Sequence, residues 1–231
     1  MGKRRRVLLA PDPRLLLELF PEELFHKITQ IKICVVVDVD GTYTDSDPMY
    51  LAWLSEKLRR SIKSHTRYDF RDIDLAARGM LLASVFSNAR MHADLPLIAG
   101  AKQALKKIRG MGVPIVILTA RPTSRSMVRV TEEHAKKNGI PFDLMIFSRH
   151  KKEIIQAIKR EMGCHVVVVD DDPNVAQGVG GLVNVTTLLF SASYNEFLKS
   201  SKIKRVKDKP GETAWEEVLK IIRRQVRNGR S

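Results

Sequence analysis

Short apolar runs rich in Val, Ile and Leu constrain the fold of this chain more than any other feature. They occupy residues 33–37, 114–118, 144–147 and 166–169, and residues 186–190 form a fifth candidate. Apolar and polar residues do not alternate within these runs, which is typical of strands covered on both faces. We therefore predict buried strands at these positions.

Amphipathic helical patterns separate the apolar runs. The patterns cover residues 100–109, 124–137 and 152–162. An alternation of strands and helices indicates βαβ units and a mostly parallel sheet. The expected fold class is α/β, with a Rossmann-like, mostly parallel sheet and helices on both faces, formed by residues 31–45 and 95–231.

Residues 46–94 interrupt this alternation because they contain no clear strand. Their apolar positions predict two amphipathic helices joined at "SHTRYD", which would form a small helical cap inserted over the sheet. Residues 1–30 predict a basic tail followed by an N-terminal helix over residues 13–28, "PRLLLELFPEELFHKI". The last predicted helix, 213–227, is basic and starts with Thr213 and Glu216 at capping-box spacing.

The formal net charge of +14 resides mainly at the two ends of the chain. Residues 1–9 hold four Lys or Arg and no acid, and residues 199–231 hold eleven against four acids. The ends therefore contribute +11, and residues 10–198 contribute only +3. Basic ends can bind nucleic acid or another anionic surface. The alternative is a solvated surface that only aids solubility.

Cysteine spacing and the length of the apolar runs indicate the cellular compartment of the chain. Cys34 and Cys164 show neither disulfide-framework nor metal-site spacing, which favours a reducing, cytoplasmic setting. No apolar run approaches the roughly 20 residues that a membrane span needs. Charged residues interrupt the N-terminal apolar stretch and no small-residue cleavage site follows, so we expect neither secretion nor membrane insertion.

Polar side chains follow the predicted strands where each strand ends. "DVDGT" follows Val37, "TARP" follows Leu118, "DDDP" follows Val169, and a basic "SRHKK" lies beyond Phe147. Ligands of open parallel sheets bind beyond the carboxyl ends of the strands. We therefore expect carboxylates, one hydroxyl and a lysine to meet at one edge of the sheet.

The grouped carboxylates predict a magnesium site. Carboxylates packed together repel each other, and a bound divalent cation removes that conflict. An all-oxygen ligand set without His or Cys suits Mg²⁺. Magnesium held in this way can bridge to a phosphoryl oxygen, which points to phosphate chemistry.

Phosphoryl transfer needs charge neutralisation and in-line positioning, and these residue types can supply both. Asp38 can attack phosphorus and form an aspartyl-phosphate. Asp40 can give a proton to the leaving oxygen and later take one from water. Gly41 permits a tight turn, Thr119 offers a hydroxyl to the phosphoryl oxygens, and the lysine adds positive charge.

These stretches resemble the motifs of the haloacid dehalogenase superfamily of phosphohydrolases. "DVDGT" is similar to the first motif, "VPIVILTARP" to the second and "VVVVDDDP" to the fourth, in the same order and spacing. The resemblance spans residues 33–190. The dehalogenases lack an acid at the position of Asp40, so its presence favours a phosphatase or phosphotransferase.

The resemblance also implies a role for each matching residue. Asp38 would be the nucleophile and a Mg²⁺ ligand. Asp40 would be the general acid and base and would offer its backbone carbonyl to the metal. Thr119 would bind phosphate, and Asp170 and Asp171 would complete the metal site.

Two basic residues are further candidates for phosphate binding. The family places its lysine at the start of a helix, three residues before the first apolar face position. Lys151 stands three residues before Ile154 and fits that rule, with Lys152 as the alternative. Arg121 follows "LTA" directly and is expected near Thr119, with a surface ion pair as the alternative.

In the superfamily, substrate choice resides largely in the cap. The polar cap candidates here are Lys57, Arg60, Lys63, His65, Arg67, Tyr68 and Arg71. The sequence thus predicts a Mg²⁺-dependent phosphatase of a small phosphate monoester, such as a nucleotide or sugar phosphate. The alternative is a nucleic-acid-associated protein that uses its basic tails and acts on a polynucleotide terminal phosphate or is non-catalytic.

Overall fold

A seven-stranded, entirely parallel sheet forms the centre of the computed structural model, which describes residues 7–228. In chain order the strands are β1 (Val7–Leu9), β2 (Ile33–Val37), β3 (Ile115–Thr119), β4 (Leu144–Phe147), β5 (His165–Asp170), β6 (Val185–Phe190) and β7 (Ile203–Val206). Their order across the sheet is β1-β4-β3-β2-β5-β6-β7. The expected α/β class with a parallel, Rossmann-like sheet is confirmed.

Helices cover both faces of the sheet. Within the described residues they are α1 (Leu16–Leu19), α2 (Glu22–Ile31), α3 (Asp47–Leu58), α4 (Ala77–Ser84), α5 (Ala101–Gly110), α6 (Arg125–Asn138), α7 (Lys151–Met162), α8 (Pro173–Val179) and α9 (Ala214–Asn228). Successive side chains of a strand point to opposite faces. In β2, Val35 and Val37 therefore pack with α5, α6 and α9, whereas Cys34 and Val36 pack with α2, α7 and α8.

The register of the central strands aligns their carboxyl ends. Val37 of β2 lies opposite Ile117 of β3 on one side and Val169 of β5 on the other. The Asp38 N–H donates to the Val169 carbonyl at 3.0 Å, which extends the pairing by one residue. Asp38 and Asp170 therefore emerge at the same level of the sheet.

The two edges of the sheet differ from the sequence prediction, which contained neither β1 nor β7. β1 has three residues, and β7 has the sequence "IKRV" with two basic side chains. Short and charged strands are typical of sheet edges, where they discourage pairing with other chains. Such strands lack the continuous apolar run that marks a buried strand, so the pattern did not reveal them.

The predicted N-terminal helix is not continuous. A 3₁₀ turn at Pro13–Leu15 and the short α1 precede Pro21, and α2 begins afresh at Glu22. Proline disfavours a helical conformation in the residue before it and has no N–H to donate. A single helix over residues 13–28 is therefore wrong, and the basic residues 1–6 lie outside the described part of the chain.

Residues 46–94 contain α3, α4 and a 3₁₀ turn at Ala89–His92, and no strand. They have an apolar cluster of their own, which includes Tyr50 and is distinct from the two clusters that flank the sheet. The segment leaves and rejoins the rest of the chain at Thr44 and Leu97, which pair in an isolated antiparallel bridge. The two predicted helices are present, and the assignment of this segment as a separate cap domain stays a prediction.

The last helix, α9, begins as predicted. The Thr213 N–H donates to the Glu216 carboxylate at 2.8 Å, and the Glu216 N–H donates to the Thr213 hydroxyl at 3.3 Å, which completes a capping box. Trp215 is fully buried, and its indole N–H donates to the Thr42 carbonyl at 2.9 Å. The helix is thereby fixed to the loop after β2.

Among the described helices, none combines the length and apolar character needed to cross a bilayer.

Candidate active site

Two buried aspartates and a lysine form the centre of the site. Asp38 follows β2, Asp170 ends β5, and Lys151 begins α7. The Lys151 Nζ lies 2.9 Å from Asp38 Oδ1 and donates a hydrogen bond of 3.0 Å to Asp170 Oδ2. Burial alone would lower the pKa of Lys151, but the two carboxylates outweigh burial and raise it. The lysine therefore holds its positive charge between them.

The packing of α7 decides between Lys151 and Lys152. Lys151 points into the carboxylate group and is buried. The side chain of Lys152 instead lies across Gly178 of α8, where an added β-carbon would be only 2.3 Å from the lysine Cδ. The structure thus brings Lys151 into the site and directs Lys152 away from it.

Asp171 lies beside this group and is held by several polar contacts. The Tyr194 hydroxyl donates to Asp171 Oδ2, and the Thr42 hydroxyl donates to Oδ1 at 3.3 Å. The Asn195 side-chain amide donates to the Asp171 backbone carbonyl at 2.9 Å. Gly41 has a φ of +67°, and a β-carbon there would lie 2.5 Å from Asp171 Oδ2. Gly41 therefore makes room for this carboxylate as well as forming a turn.

The carboxylate oxygens fit a metal ion. Oxygens of Asp38, Asp170 and Asp171 lie within 4.8 Å of one another, and all three residues are buried. Among the described residues, Lys151 is the one cation in an ion pair with this group. Three carboxylates and one ammonium leave an excess of negative charge, which a divalent cation would balance. Hard oxygen donors without His or Cys are the ligands of a hard divalent cation.

Asp40 is paired with Arg121 and not with this group. The Arg121 Nε donates to Asp40 Oδ2 at 2.8 Å, and Nη2 donates to Oδ1 at 2.7 Å, in a bidentate pair. The remaining Nη1 donates to the Thr131 hydroxyl at 3.0 Å. Arg121 is buried, so the alternative of a surface ion pair is wrong. Its expected contact with phosphate stays a prediction, as does the metal contact expected of the Asp40 carbonyl.

The two aspartates of "DVDGT" have pKa values that are shifted in opposite directions. Burial raises the pKa of Asp38 to about 7, opposed by Lys151 and assisted by the carboxylates of Asp170 and Asp40. Burial also acts to raise the pKa of Asp40, but Arg121 outweighs burial and lowers it. Neighbouring carboxyl groups with separated pKa values are typical of sites that perform acid–base chemistry.

A cavity of about 930 Å³ is lined both by these residues and by residues 46–94. On the sheet side, Asp38, Thr119 and Lys151 line it. The lining from residues 46–94 is rich in aromatic and basic side chains, which are Tyr50, His65, Arg67, Tyr68, Phe70, Arg78, Phe86 and His92. The cavity is large enough for a small-molecule substrate.

Three of the seven cap residues predicted for substrate contact line this cavity, namely His65, Arg67 and Tyr68. The other four, Lys57, Arg60, Lys63 and Arg71, are not among its lining residues. The Lys57 ammonium, for example, lies over the Trp53 ring at 5.5 Å. Arg78 and Arg149 also line the cavity. Arg149 belongs to the basic "SRHKK" stretch, whereas no sequence pattern indicated Arg78.

A stack of rings connects residues 46–94 with the loop after β6. The His65 ring stacks on Phe70 with 4.1 Å between centroids and on Tyr194 with 4.7 Å. Tyr194 also donates its hydroxyl to Asp171. The stack and this hydrogen bond therefore connect the helical segment to Asp171 of the carboxylate cluster through Tyr194.

Comparison with solved structures finds this fold in proteins of very different sequence. A candidate β-phosphoglucomutase from Thermotoga maritima aligns with a TM-score of 0.53 and 15% identity, over 83% of this chain and 99% of that one. A phosphonoacetaldehyde hydrolase-like protein from Oleispira antarctica aligns with a TM-score of 0.52 and 17% identity, over 85% of this chain and 94% of that one. A D,D-heptose 1,7-bisphosphate phosphatase from B. bronchiseptica aligns with a TM-score of 0.51 and 10% identity, over 84% of this chain and 98% of that one. That structure is a complex with magnesium and phosphate.

These neighbours are proteins of the haloacid dehalogenase superfamily. The chain has the fold of the haloacid dehalogenase superfamily. The resemblance predicted from the three motifs is thus confirmed at the level of the fold, and the identities of 10–17% carry no more than that. Neither the protein-family models nor the curated protein sequences compared with this chain match it.

Within this haloacid dehalogenase fold, residues from the ends of three strands meet as the strand-end rule predicts. Thr119 ends β3 and is buried, and its Oγ1 accepts from the Arg121 N–H at 3.2 Å. Tyr194 and Asn195 were missed, although they belong to the polar stretch that follows β6. Ligands of parallel sheets bind beyond the carboxyl ends of the strands, so the polar stretch "SASYN" after Phe190 would have indicated this loop as part of the site.

Proposed function

We propose that this chain is a Mg²⁺-dependent phosphohydrolase, which hydrolyses a phosphate monoester through an aspartyl-phosphate on Asp38. The observation that carries the proposal is the Lys151 ammonium, held 2.9 Å from Asp38 and 3.0 Å from Asp170 at the wall of a cavity. A fixed cation beside a carboxylate nucleophile allows an anionic phosphoryl group to approach a site that would otherwise repel it.

In the first half of the reaction, a carboxylate oxygen of Asp38 attacks phosphorus and the bond from phosphorus to the ester oxygen breaks. Because Arg121 lowers the pKa of Asp40, the carboxylic acid is the minor form at rest. In that form Asp40 gives its proton to the departing oxygen, so that an alcohol leaves. Lys151 neutralises a phosphoryl oxygen. Because Thr119 Oγ1 accepts from the Arg121 N–H, the threonine O–H proton can be donated to another phosphoryl oxygen.

In the second half, water attacks phosphorus and the bond from phosphorus to the Asp38 oxygen breaks. Asp40, now a carboxylate, takes the proton of that water, and inorganic phosphate leaves. Arg121 binds both carboxylate oxygens of Asp40 and stabilises the form that accepts this proton. Asp38 and the acid form of Asp40 are both regenerated.

The metal would be held by Asp38, Asp170 and Asp171. Mg²⁺ bound there would neutralise the carboxylates and polarise a phosphoryl oxygen. Tyr194 and Thr42 fix the orientation of the Asp171 carboxylate through their hydrogen bonds. Such partners of a metal ligand typically tune both metal affinity and activity.

Residues 46–94 would act as the cap over a core of residues 31–45 and 95–231. Their aromatic and basic lining faces the cavity that the carboxylates open into. Aromatic rings can pack on a sugar or base, and guanidinium groups can bind anions. A small phosphate monoester, such as a nucleotide or sugar phosphate, fits this lining and the cavity volume.

A reducing, cytoplasmic setting completes the proposal. Cys34 and Cys164 are both buried and unpaired. Buried thiols of this kind serve packing, and chains of reducing compartments commonly retain them without disulfides.

Hydrolysis of 4-nitrophenyl phosphate with and without Mg²⁺ tests the proposal. We expect turnover that needs Mg²⁺, is removed by a chelator and is abolished in Asp38→Asn. Asp45→Asn is the matched control, because it makes the same chemical change seven residues away at a position that does not line the cavity. Turnover by Asp38→Asn at the wild-type rate would contradict the proposal.

A second candidate function, binding of nucleic acid, is favoured by the surface of two packed helices. α5 carries four basic residues and no acid, and α9 carries four basic residues after its acidic first turn. In contrast, Lys204 and Lys209 of the C-terminal region are tied to Glu217 by ion pairs of 3.3 and 2.8 Å. Arg109 of α5 and Lys220 of α9 are also paired, with Asp143 and Glu212 respectively. The other six basic residues of the two helices have no ion-pair partner among residues 7–228 and therefore offer positive charge to phosphates.

Binding of a labelled single-stranded RNA and a labelled duplex DNA at low and high salt tests this candidate. We expect weak binding that falls steeply with salt and is reduced in the triple variant of Arg223, Arg224 and Arg227 to Gln. An affinity that is insensitive to this change would exclude α9 as the binding surface.

A further inference from the structure

Most charged side chains around the cavity are already paired with one another. The pairs are Lys151 with Asp38, Arg121 with Asp40, Arg67 with Asp69, and His65 with Asp47. The two remaining carboxylates of the lining also have partners. Asp171 accepts from Tyr194 and Thr42, and Asp172 accepts from the Asn174 N–H at the start of α8.

Two arginines of the lining, Arg78 and Arg149, have no ion-pair partner among residues 7–228. They belong to different parts of the chain, and Arg78 is partly buried whereas Arg149 is exposed. Arg78 is the second residue of α4 in the helical segment, whereas Arg149 lies in the loop between β4 and α7, two residues before Lys151. Two cations without anions therefore face the space in which the substrate would bind.

Ring contacts fix Arg78 in place. Its guanidinium carbon lies 5.8 Å from the centroid of the Tyr68 ring, which is a cation–π distance. The Tyr68 ring lies 5.6 Å from the ring of Tyr194, whose hydroxyl donates to Asp171. Arg78 is thus connected to the carboxylate cluster through two ring contacts, and this wall of the cavity has a defined structure.

We propose that the substrate carries a second anionic group, a carboxylate or a further phosphate, which Arg78 and Arg149 bind. The inference rests on the proposed phosphohydrolase function and adds the chemical class of its substrate. The phosphoryl group that reacts is bound by Lys151 and Thr119, so it does not use these two arginines. A guanidinium offers a planar set of donors that matches a carboxylate or phosphate, and the bound substrate would supply the missing counter-charge.

Matched aryl phosphates test the inference, because the aromatic lining of the cavity suits an aryl ring. The probes are 4-(carboxymethyl)phenyl phosphate, 4-(phosphonomethyl)phenyl phosphate and 4-(carbamoylmethyl)phenyl phosphate. The first two carry a second anion, and the third carries a neutral amide of similar size and similar leaving-group character. We expect the full chain with Mg²⁺ to favour at least one anionic probe over the amide in kcat/KM by about tenfold, the effect of one charge-assisted contact.

Substitutions then show which arginines cause the preference for the anionic probes. In Arg78→Gln and Arg149→Gln we expect the ratio of kcat/KM between the anionic and the neutral probe to fall toward one. Arg90→Gln in residues 46–94 and Arg125→Gln at the start of α6 are matched controls, since neither residue lines the cavity. The controls should keep the wild-type ratio. Equal kcat/KM for all three probes in the wild type, or a preference that survives both cavity substitutions, would overturn the inference.

A binding measurement separates this inference from the proposed function. Asp38→Asn keeps both arginines, and calorimetric titration with the three probes measures their affinity without turnover. If the wild type hydrolyses none of the probes but Asp38→Asn binds an anionic probe about tenfold more tightly than the amide, the hydrolase proposal fails and the anion site stands. Hydrolysis of all probes without any difference in affinity overturns the anion site alone.

Discussion

The two walls of the cavity hold their charges in different ways. At the edge of the sheet the charges are buried and paired across elements, with Lys151 between Asp38 and Asp170 and with Arg121 on Asp40. On the wall from residues 46–94, His65 and Arg67 are paired with carboxylates of the same segment. Arg78 instead has no ion-pair partner among the described residues, is only partly buried and lies over the Tyr68 ring. In the proposed phosphohydrolase reaction, the first arrangement would treat any phosphate ester alike. The second leaves charge available for recognising one ester among many.

The largest expected effect comes from removing the shared cation at the edge of the sheet. In Lys151→Met the three carboxylates lose their buried counter-charge, and the phosphoryl group loses a fixed positive partner. We expect kcat/KM for an aryl phosphate to fall about 10³-fold, as when one preorganised donor is removed from a transition-state site. Steady-state kinetics on variants that are shown to be folded by circular dichroism measure this fall.

Lys152→Met is the control for that change. It removes the same charge one residue later, at a side chain that lies across Gly178 and outside the cavity. We expect near wild-type kinetics. Equal losses in the two variants would mean that the positive end of α7, and not the position of Lys151, matters.

A smaller effect is expected from weakening the bidentate ion pair between Arg121 and Asp40. Arg121→Lys keeps the charge but cannot make the bidentate contact with Asp40 while also donating to Thr131. We expect kcat to fall about 10- to 100-fold, which is less than the roughly 10²- to 10⁴-fold that proton transfer by a positioned group contributes, because Asp40 itself remains. Arg125→Lys, four residues later on the surface of α6, should leave kcat unchanged. A loss confined to KM would instead favour the phosphate-binding role for Arg121.

Loss of the hydrogen bond between Tyr194 and Asp171 should mainly affect the metal. Tyr194→Phe removes the hydroxyl that donates to Asp171 but keeps the ring that stacks on His65. We expect the Mg²⁺ concentration for half-maximal activity to rise about tenfold, as for other partners of metal ligands. Tyr43→Phe is the control, because the buried Tyr43 hydroxyl has no hydrogen-bond partner among the described residues. An unchanged Mg²⁺ requirement in Tyr194→Phe would show that the contact is only structural.

The smallest expected effect concerns the pH dependence of stability at residues 46–94. Burial acts to lower the pKa of His65, but the Asp47 carboxylate 3.2 Å away outweighs burial and raises it. A raised pKa in the folded state means that the pair stabilises the protein below the ordinary histidine pKa of about 6.5 and that this contribution is lost as pH rises through the folded value. We expect Asp47→Asn to lower the free energy of unfolding by about 1 kcal/mol at pH 5.5.

Thermal or urea unfolding at pH 5.5 and pH 8.5 measures the effect. The difference between wild type and Asp47→Asn should be larger at the lower pH, and Asp45→Asn should show no such trend. A difference that grows with pH would contradict the assignment of the pair.

Sequence patterns predicted the central sheet well because each inner strand is buried on both faces. β2, β4 and the cores of β3, β5 and β6 are unbroken runs of Val, Ile, Leu or their equivalents. Apolar runs could not predict β1 and β7, because a strand at a sheet edge needs few apolar residues. The sequence shows the interruption at Pro21, but the apolar periodicity on both sides of it wrongly favoured a continuous helix.

In the site, the strand-end rule correctly predicted that Asp38, Thr119 and Asp170 lie at one edge of the sheet. It could not show what each side chain contacts. Asp40 and Arg121 are 81 positions apart in the chain, and their pairing depends on side-chain directions that no spacing encodes. Arg78 was equally hidden, because its place in the cavity depends on how α4 packs against Tyr68.

Rapid acid quench of the full chain with Mg²⁺ and 4-nitrophenyl phosphate, followed by peptide mass spectrometry, tests the central claim most directly. A phosphoryl adduct on the peptide that contains Asp38 is the predicted result, formed within the first turnover and absent from Asp38→Asn. Turnover without an adduct on that peptide, or an adduct at another residue that persists in Asp38→Asn, would contradict the account.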